Sequence, residues 1–263
     1  MKKRTNFLVY PLLLMGALLI FISSCKKDKD ENPTPPSTNG NGVFTCGDNV
    51  TYIYNGQAVT YGTVLSSGNC WLDRNLGATQ VATSSTDHLA YGDLFQWGRA
   101  ADGHQLINWS AWDAGIPVNP ATSGTCDAVD TNTPLHSNFI KCSFDPRDWR
   151  SPQNHGLWQG VDRVNNPCPP GWRLPTEAEW DAERESWSDN NAAGAFGSPL
   201  KLPVVSSRDN INGSLLSVGA MGLYWASTVD GTRSRRLVFD SSTAHVGRDA
   251  RAFGFSVRCI KDN

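Results

Sequence analysis

The stretch that decides the fold of this chain is residues 167–180, PCPPGWRLPTEAEW. Thr176 and Glu179 have the T-x-x-E spacing of a capping box. In that motif the threonine hydroxyl accepts a hydrogen bond from the N3 amide, and the glutamate reaches back to the N-cap amide. Pro175 comes directly before this pair and ends whatever element precedes it. The stretch therefore predicts a helix that has Thr176 as its N-cap.

The same residues can be interpreted as a catalytic elbow, a ligand-binding turn or a structural knot. Glu177 and Glu179 lie in the first turn of the predicted helix, where the helix dipole favours acidic groups, so they have a structural role without any catalysis. Trp180 and Trp187 are seven residues apart, which places both rings on one helical face. With Cys168 as the root of a disulfide, we interpret the stretch as a structural knot, and we predict no catalytic residue.

The N-terminus has the layout of a secretory signal. Residues 2–4 are all basic, and the run Phe7–Ile22 is almost wholly apolar but shorter than the roughly 20 residues of a membrane span. We predict that residues 1–24 are a signal peptide. Cys25 follows two serines, which resembles a bacterial lipobox, whose cysteine carries acyl chains such as palmitate and begins the mature chain. The alternative is an ordinary signal peptide with an incidental cysteine.

The segment after the signal is predicted to be a lipidated cysteine and a disordered tether, residues 25–42. Its sequence from residue 26, KKDKDENPTPPSTNGNG, has no apolar side chain that could anchor a core. The Lys- and acid-rich start resembles the signal that sends Bacteroidota lipoproteins to the outer face of the outer membrane. We therefore expect a lipid-anchored protein of the cell outer membrane, exposed at the surface. The alternative is a solvated spacer that faces the periplasm.

Charge and composition narrow the classes of partner. The net charge of the chain is −2, and loss of residues 1–24 with their three basic side chains leaves about −5. There is no basic stripe, so we expect no nucleic-acid partner.

Ten tryptophans and a charged fraction of 18% favour a real core. The remaining chain suits one large domain or two small ones, and we predict a single domain over residues 43–263.

Six cysteines besides Cys25 predict a disulfide framework, because their number is even and the chain is exported. Six cysteines allow 15 pairings, so the sequence alone does not choose among them. Proximity in sequence suggests two bridges and leaves a third: Cys46–Cys70, Cys126–Cys142 and Cys168–Cys259.

Neither CxxC nor HExxH occurs, and the loops DTNTP and SDNN lack an EF-hand pattern, so we predict no metal site and no cofactor.

Short strands alternate with Gly, Asn and Ser turns along most of the chain. Residues 50–73, VTYIYNGQAVTYGTVLSSGNCWLD, predict two strands around Asn55-Gly56 and a third at Cys70–Leu72. Residues 100–167 are predicted to be mostly loop, either functional or stapled by a disulfide. Strands return near the end of the chain in GLYWAST (222–228), RRLVFD (235–240) and AFGFSVRCI (252–260).

The last of these segments alternates in polarity. Phe255, Val257 and Cys259 alternate with Ser256 and Arg258, so a strand here points the first three to one face, the buried one. A cysteine on that face can reach the root of a helix packed on the sheet, which supports a bridge to the knot.

Several long phrases resemble one known family in their order: NCWLDRNLGAT, YGDLFQWGRAADGHQ, DWRSPQN, LWQGV, NNPCPPGWRLPTEAEW, SPLKLP, YWAST and GFSVRCIKD. They are similar to the Fibrobacter succinogenes major paralogous domain (FISUMP) family, from about residue 45 to the end. That family resembles the C-type-lectin-like superfamily, which also contains formylglycine-generating enzymes. The resemblance implies an α+β, C-type-lectin-like fold: a loop-rich, disulfide-stapled domain with short antiparallel strands, few helices, and the first and last strands close together.

The resemblance brings no established reaction. The calcium-binding triplets of sugar-binding C-type lectins, Glu-Pro-Asn or Gln-Pro-Asp with Trp-Asn-Asp, do not occur; WSDN at Trp187–Asn190 is only a near miss. Formylglycine-generating enzymes use reactive cysteines with copper and oxygen, whereas each of the six cysteines here has a plausible disulfide partner. We therefore expect no calcium-dependent lectin activity and no enzyme.

The function that the sequence favours is a surface binding or adhesion module for a glycan or an extracellular protein. Four tryptophans in the long loop region are the candidate ligand-binding residues, because exposed indoles stack on sugars and anchor protein contacts: Trp109, Trp112, Trp149 and Trp158. The alternative for each ring is a place in the core. A formylglycine-generating-type enzyme and a purely structural envelope protein remain alternative functions.

Overall fold

The computed structural model describes residues 43–262. The predicted signal peptide at 1–24, the predicted tether at 25–42 and Cys25 lie outside the described residues. Within residues 43–262, no helix combines the length and hydrophobicity that crossing a bilayer requires.

Short strands dominate the described part of the chain, which also has two α-helices, α1 (Glu177–Glu185) and α2 (Ala192–Gly197). The strands are β1 (Val50–Tyr54), β2 (Gln57–Tyr61), β3 (Thr63–Ser66), β4 (Asn69–Leu72), β5 (Phe95–Gln96), β6 (Ile107–Ala111), β7 (Ala114–Pro117), β8 (Trp172–Arg173), β9 (Ser207–Arg208), β10 (Leu215–Leu216), β11 (Gly222–Asp230), β12 (Arg233–Phe239), β13 (Ala244–Asp249), β14 (Gly254–Phe255) and β15 (Ile260–Lys261). With its three disulfides, this is a loop-rich α+β domain.

These strands form five small antiparallel sheets. Their strand orders are β1-β2, β3-β4-β15-β8, β6-β7, β10-β9-β14-β5 and β11-β12-β13. In the second of these, Ile260 of β15 faces Trp71 of β4 on one side and Arg173 of β8 on the other. The final strand therefore lies inside a sheet whose neighbours are distant in sequence.

The predicted hairpin around Asn55-Gly56 is confirmed. Asn55 and Gly56 both have positive φ angles, 48° and 74°, and they join β1 to β2. Two such residues are typical of a type I′ turn, whose twist matches that of the strands. The third predicted strand, Cys70–Leu72, lies within β4, but the sequence did not separate β3, which pairs with β4 in a second hairpin.

The predicted knot at residues 167–180 is present. Thr176 caps α1 and accepts the amide of Glu179, while the Glu179 carboxylate accepts the amide of Thr176, which completes the capping box. Trp180 and Trp187 are both buried in one cluster, although α1 ends at Glu185 and Trp187 lies beyond it. The two rings are buried together, but the prediction that one helical face carries both is wrong, because the helix ends before Trp187.

The three predicted disulfides are all present in the structure: Cys46–Cys70, Cys126–Cys142 and Cys168–Cys259. The third joins the knot to the segment just before β15, with a sequence separation of 91 between its two cysteines. Cys126 and Cys142 also form an antiparallel backbone bridge, so this disulfide staples two loops of the irregular region.

The prediction of one strand over residues 252–260 is wrong. The segment forms the two-residue strands β14 and β15, and the residues between them follow an irregular path. Phe255, Val257 and Cys259 do share one core cluster, as predicted. However, Ser256 and Arg258 are buried too, with 0% and 1% of their surface exposed. Because both faces of the segment are covered, alternation in polarity did not separate a buried face from a solvated one.

Residues 100–167 are mostly loop, as predicted, but they contain the hairpin β6–β7 that the sequence did not reveal. Much of the rest is held by isolated bridges, such as that between Ala121 and Phe139 and that between Val129 and Arg150.

Buried arginines donate hydrogen bonds to backbone carbonyl groups of segments that are distant in sequence. Arg258 donates to the carbonyls of Leu72 and Leu200, and Arg208 donates to those of His104 and Asn119. A buried carbonyl without a donor costs free energy, and an arginine offers five donors from one side chain. In a fold with short strands, these side chains replace part of a hydrogen-bond ladder.

Candidate functional site

The four candidate tryptophans do not form one site. Trp149 and Trp158 are fully buried, so neither ring offers a face to a ligand, and for these two the prediction is wrong. Their indole Nε1 atoms donate to the loop carbonyls of Trp97 and Asn165, both at 2.7 Å. The large rings fill the space between loops that lack regular pairing, which is the core role that the sequence left open.

The other two tryptophans lie on the β6–β7 hairpin. Trp112, at the turn, is 55% exposed, and Trp109, on β6, is partly buried. Trp109 also lines a cleft, whereas Trp112 does not contribute to it. The two rings are therefore separate candidates for ligand contact.

The cleft has a volume of about 840 Å³, which is within the range of small-molecule sites. Three parts of the chain supply its lining: the hairpin β1–β2, the loops between residues 74 and 93, and the segment 106–118 with β6. Its lining residues are Tyr54, Asn55, Gln57, Val59, Tyr61, Arg74, Gly77, Ala78, Thr79, His88, Leu89, Gly92, Asp93, Leu106, Ile107, Asn108, Trp109 and Val118.

A buried carboxyl group lies at the base of the cleft. Asp93 is only 5% exposed. Its Oδ2 accepts the hydroxyl of Tyr54 at 2.7 Å, and its Oδ1 accepts the amide of Ile107 at 3.2 Å. Burial raises the pKa of Asp93 to about 7, although both hydrogen bonds oppose that change. Burial and the neighbouring Asp93 raise the pKa of Tyr54 well above 10, so this hydroxyl stays protonated.

Gly77 lets the backbone approach Asp93 closely. A Cβ atom at Gly77 would lie 2.3 Å from Oδ2 of Asp93, and the φ angle of +80° is one that other residues rarely adopt. The amide of Gly77 donates to the hydroxyl oxygen of Tyr61 at 3.0 Å. The loop after β4 is thus fitted against the carboxyl group and against the neighbouring hairpin.

Trp109 is fixed in place by three contacts. Its Nε1 donates to the carbonyl of Gly92 at 2.6 Å, and its ring meets Tyr91 edge to face, with 5.1 Å between centroids. Gly115, its partner across the hairpin, lies directly against the ring, because a Cβ there would be 2.5 Å from Cε3 of Trp109. The ring is therefore held in one orientation at the cleft.

The exposed lining residues form the mouth of the cleft and carry no charge. They are Asn55, Gln57, Thr79, Leu89, Asn108 and Val118. Arg74 is the one lining arginine, and it is already engaged: it pairs with Asp73 at 2.9 Å and stands 4.2 Å from the centroid of the Tyr61 ring. The cleft thus combines aromatic and aliphatic walls with a neutral amide mouth and a carboxyl base.

The two glutamates of the knot have structural partners. Glu179 is held by Arg173 and Thr176, and Oε2 of Glu177 lies 3.3 Å from Nε of Arg235. Within residues 43–262, no group of three or more His, Cys, Asp or Glu side chains is placed to hold a metal ion.

Sequence reasoning missed Asp93, Tyr54 and Tyr61 as site residues. Asp93 stands directly before Leu94 and Phe95, but an aspartate is far more often exposed than buried, so no local signal marked it as a buried carboxyl group. The tyrosines gave no such signal either, since alternating aromatic residues are ordinary in a hairpin.

Comparisons of this chain with protein-family models, with curated proteins and with solved structures found no match.

Proposed function

We propose that this chain is a binding or adhesion module displayed at the cell surface, anchored in the outer membrane through acylated Cys25 and the tether at 25–42. In this proposal it belongs to the FISUMP family and has a C-type-lectin-like fold. Its ligand is a glycan or an extracellular protein, and its ligand site is the cleft between the hairpins β1–β2 and β6–β7.

The observation that carries the proposal is the composition of the cleft. Trp109 offers an indole held in one orientation, and sugars and protein side chains both pack on such rings. Asn55, Gln57 and Asn108 lie at the mouth, where their amides can donate to and accept from hydroxyl groups. A concave apolar site with a few convergent polar groups is the usual form of a ligand pocket.

The fold is compatible with the proposed family. The domain is loop-rich, its strands are short and antiparallel, and three disulfides staple it. The final strand β15 pairs with β4, the fourth strand of the domain, whereas the first strand β1 pairs with β2.

The alternative of a formylglycine-generating-type enzyme has less support. That chemistry uses reactive thiols, and each of the six cysteines in residues 43–262 is in a disulfide. A thiol count on the folded, oxidised protein separates the two functions, because two or more free thiols would revive the enzyme.

The direct test is an array of glycans and matrix proteins probed with the full chain purified in detergent. Trp109→Ala and Trp112→Ala form a matched pair, since both remove an indole from the same hairpin but only Trp109 lines the cleft. We expect Trp109→Ala to lose most of the binding and Trp112→Ala to keep it. The reverse result would move the site to the hairpin turn, and no binding to any probe would favour a purely structural envelope protein.

A further inference from the structure

We propose that the cleft binds an amino sugar, a hexosamine whose protonated primary amine forms an ion pair with Asp93 while its ring packs on Trp109. This inference deepens the proposed function and rests on the cleft being the ligand site.

The first support is a buried carboxyl group that lacks a cationic partner. Asp93 accepts hydrogen bonds from Tyr54 and from the amide of Ile107, and both donors are neutral. Among residues 43–262, no Lys, Arg or His forms an ion pair with Asp93. Burial raises its pKa to about 7 because charge at this place is not compensated. A ligand ammonium would supply the missing positive charge.

The second support is that neither of the two lining side chains that can carry positive charge, Arg74 and His88, forms an ion pair with Asp93. The guanidinium of Arg74 is taken up by Asp73 at 2.9 Å, by the carbonyl of Ala78 at 3.1 Å and by the carbonyl of Thr60. It also covers the ring of Tyr61. The guanidinium of Arg74 is therefore already paired and does not act as the counter-ion of Asp93.

The third support is acceptor capacity. A carboxylate has about four lone-pair sites, and Asp93 uses one on each oxygen. An ammonium group has three donors, so it can bind the remaining sites without displacing Tyr54 or Ile107. Asp93 itself lines the cleft, so its carboxyl group is the acidic group that a ligand in the cleft would approach.

A sugar ring fits the remaining walls better than a lysine chain does. The indole of Trp109 offers a flat apolar surface, and Asn55, Gln57 and Asn108 offer neutral amides at the mouth. A pyranose presents one apolar face and a rim of hydroxyl groups that such amides bind. A lysine side chain has only its amine to recognise, so the amide mouth would stay unused.

The test uses three oligosaccharides that share one backbone: a β-1,4-linked glucosamine hexamer, its N-acetylated form and a β-1,4-linked glucose hexamer. Binding of each to the full chain in detergent is measured by calorimetry at pH 7. We expect the glucosamine hexamer to bind about tenfold or more tightly than the other two, since a hydrogen bond to a charged group is stronger than one between neutral groups. A lysine derivative blocked at its α-amine and carboxyl group is the arm that tests a protein ligand.

Asp93→Asn is the decisive variant. We expect it to lose the preference for the free amine, so that the glucosamine and glucose hexamers bind with equal affinity. Tyr54→Phe is a second variant, useful where the asparagine protein folds poorly. Loss of this donor raises the pKa of Asp93 further, so less of the carboxyl group is charged at pH 7 and the preference for the free amine should shrink. Trp112→Ala is the control and should change none of the three affinities.

The outcomes separate this inference from the proposed function. Equal affinity for the three oligosaccharides, or an amine preference that survives Asp93→Asn, overturns the assignment of an amino sugar but leaves a glycan-binding cleft. Tighter binding of the lysine derivative than of any sugar overturns it in favour of a protein ligand. Absence of binding to every probe overturns the inference and the proposed function together.

Discussion

Arg173 holds the carboxylate of Glu179 through two hydrogen bonds, 2.9 Å from Nη1 to Oε2 and 2.8 Å from Nη2 to Oε1. The same Oε2 accepts the amide and the hydroxyl of Thr176, so the capping box and the ion pair share one carboxylate. Nε of Arg173 binds Asp262 at 2.6 Å. Burial alone would raise the pKa of Glu179, but the hydrogen bonds from Arg173 and Thr176 outweigh it and lower that pKa. The start of α1 is therefore tied to β8 and to the residue after β15.

The first prediction follows from this shared carboxylate. Thr176→Ala should lower the free energy of unfolding by about 1 kcal/mol, the usual loss of an N-cap side chain. Glu179→Gln should cost more, about 2 kcal/mol, because it breaks a charged, bidentate contact. The capping box alone predicts the opposite order, since glutamine can still complete the box. Urea denaturation measures both, and Glu185→Gln, at an exposed residue of the same helix, is the control.

The second prediction concerns the disulfides. Removing the Cys168–Cys259 bridge with paired Ser substitutions should cost about 5 kcal/mol, and removing Cys126–Cys142 in the same way about 3 kcal/mol, because the first closes the longer loop. Thermal unfolding of the two double variants gives the order. Peptide mapping without reductant should recover the three pairs, and a peptide joining Cys168 to Cys126 or Cys142 would contradict the pairing.

The third prediction is a pH dependence of stability caused by Asp93. Folding raises the pKa of this carboxyl from 3.8 to about 7, so the folded chain keeps a proton that the unfolded chain releases. The contribution of this bound proton to the free energy of unfolding is fully present below about pH 4 and is lost as the pH rises through about 7. The difference between the two pKa values corresponds to about 4 kcal/mol.

Asp93→Asn isolates this effect from other titrating groups. The asparagine oxygen can accept the amide of Ile107 while its NH₂ donates to the hydroxyl oxygen of Tyr54, so the packing is preserved. We expect the difference in unfolding free energy between variant and wild type to change steadily between pH 4 and pH 7, in favour of the variant at the higher pH. A constant difference across that range would show that Asp93 does not titrate with folding.

The fourth prediction concerns the orientation of Trp109. In Gly115→Ala the new Cβ would lie 2.5 Å from Cε3 and 2.9 Å from Cζ3 of Trp109, so the ring must move. We expect a loss of about 1–3 kcal/mol, typical of overpacking, together with a shift in tryptophan fluorescence and weaker ligand binding. Gly197→Ala is the control, because a Cβ there meets nothing within 4 Å. Normal binding by the Gly115 variant would separate Trp109 from the ligand site.

The fifth prediction concerns the anchor. Cys25→Ser should release the protein from the membrane fraction into the soluble fraction, because in the proposed lipoprotein acyl chains on this cysteine provide the attachment. Cell fractionation followed by blotting measures this, with incorporation of labelled palmitate as a second readout. Unchanged partition of the variant would leave Cys25 as an incidental cysteine after an ordinary signal peptide.

The parts of the fold that the sequence predicted depend on local rules. The Asn55-Gly56 hairpin follows from the φ angles that this pair tolerates, and the start of α1 follows from four residues around Thr176. The disulfides followed from proximity in sequence and elimination.

The parts that the sequence did not predict depend on contacts between distant segments. Arg258 is buried, and its guanidinium donates to the carbonyls of Leu72 and Leu200, which lie more than 50 residues away in the chain. The alternation in polarity therefore gave a wrong prediction for the segment around it. The cleft is assembled from three segments, and Asp93 acquires its character from Tyr54 and Ile107. Local sequence patterns contain no signal for these contacts between distant segments.

The position of β15 near the end of the chain delays the completion of the sheet during synthesis. β4 ends at Leu72, and its partner begins at Ile260, about 190 residues later. At about 5–20 residues per second, ribosomes take on the order of ten to forty seconds to bridge that interval. Throughout it one edge of β4 stays unpaired, and open strand edges invite wrong partners. A nascent chain of this kind needs to be shielded until β15 has been made, and its folding should be slow and sensitive to holding chaperones.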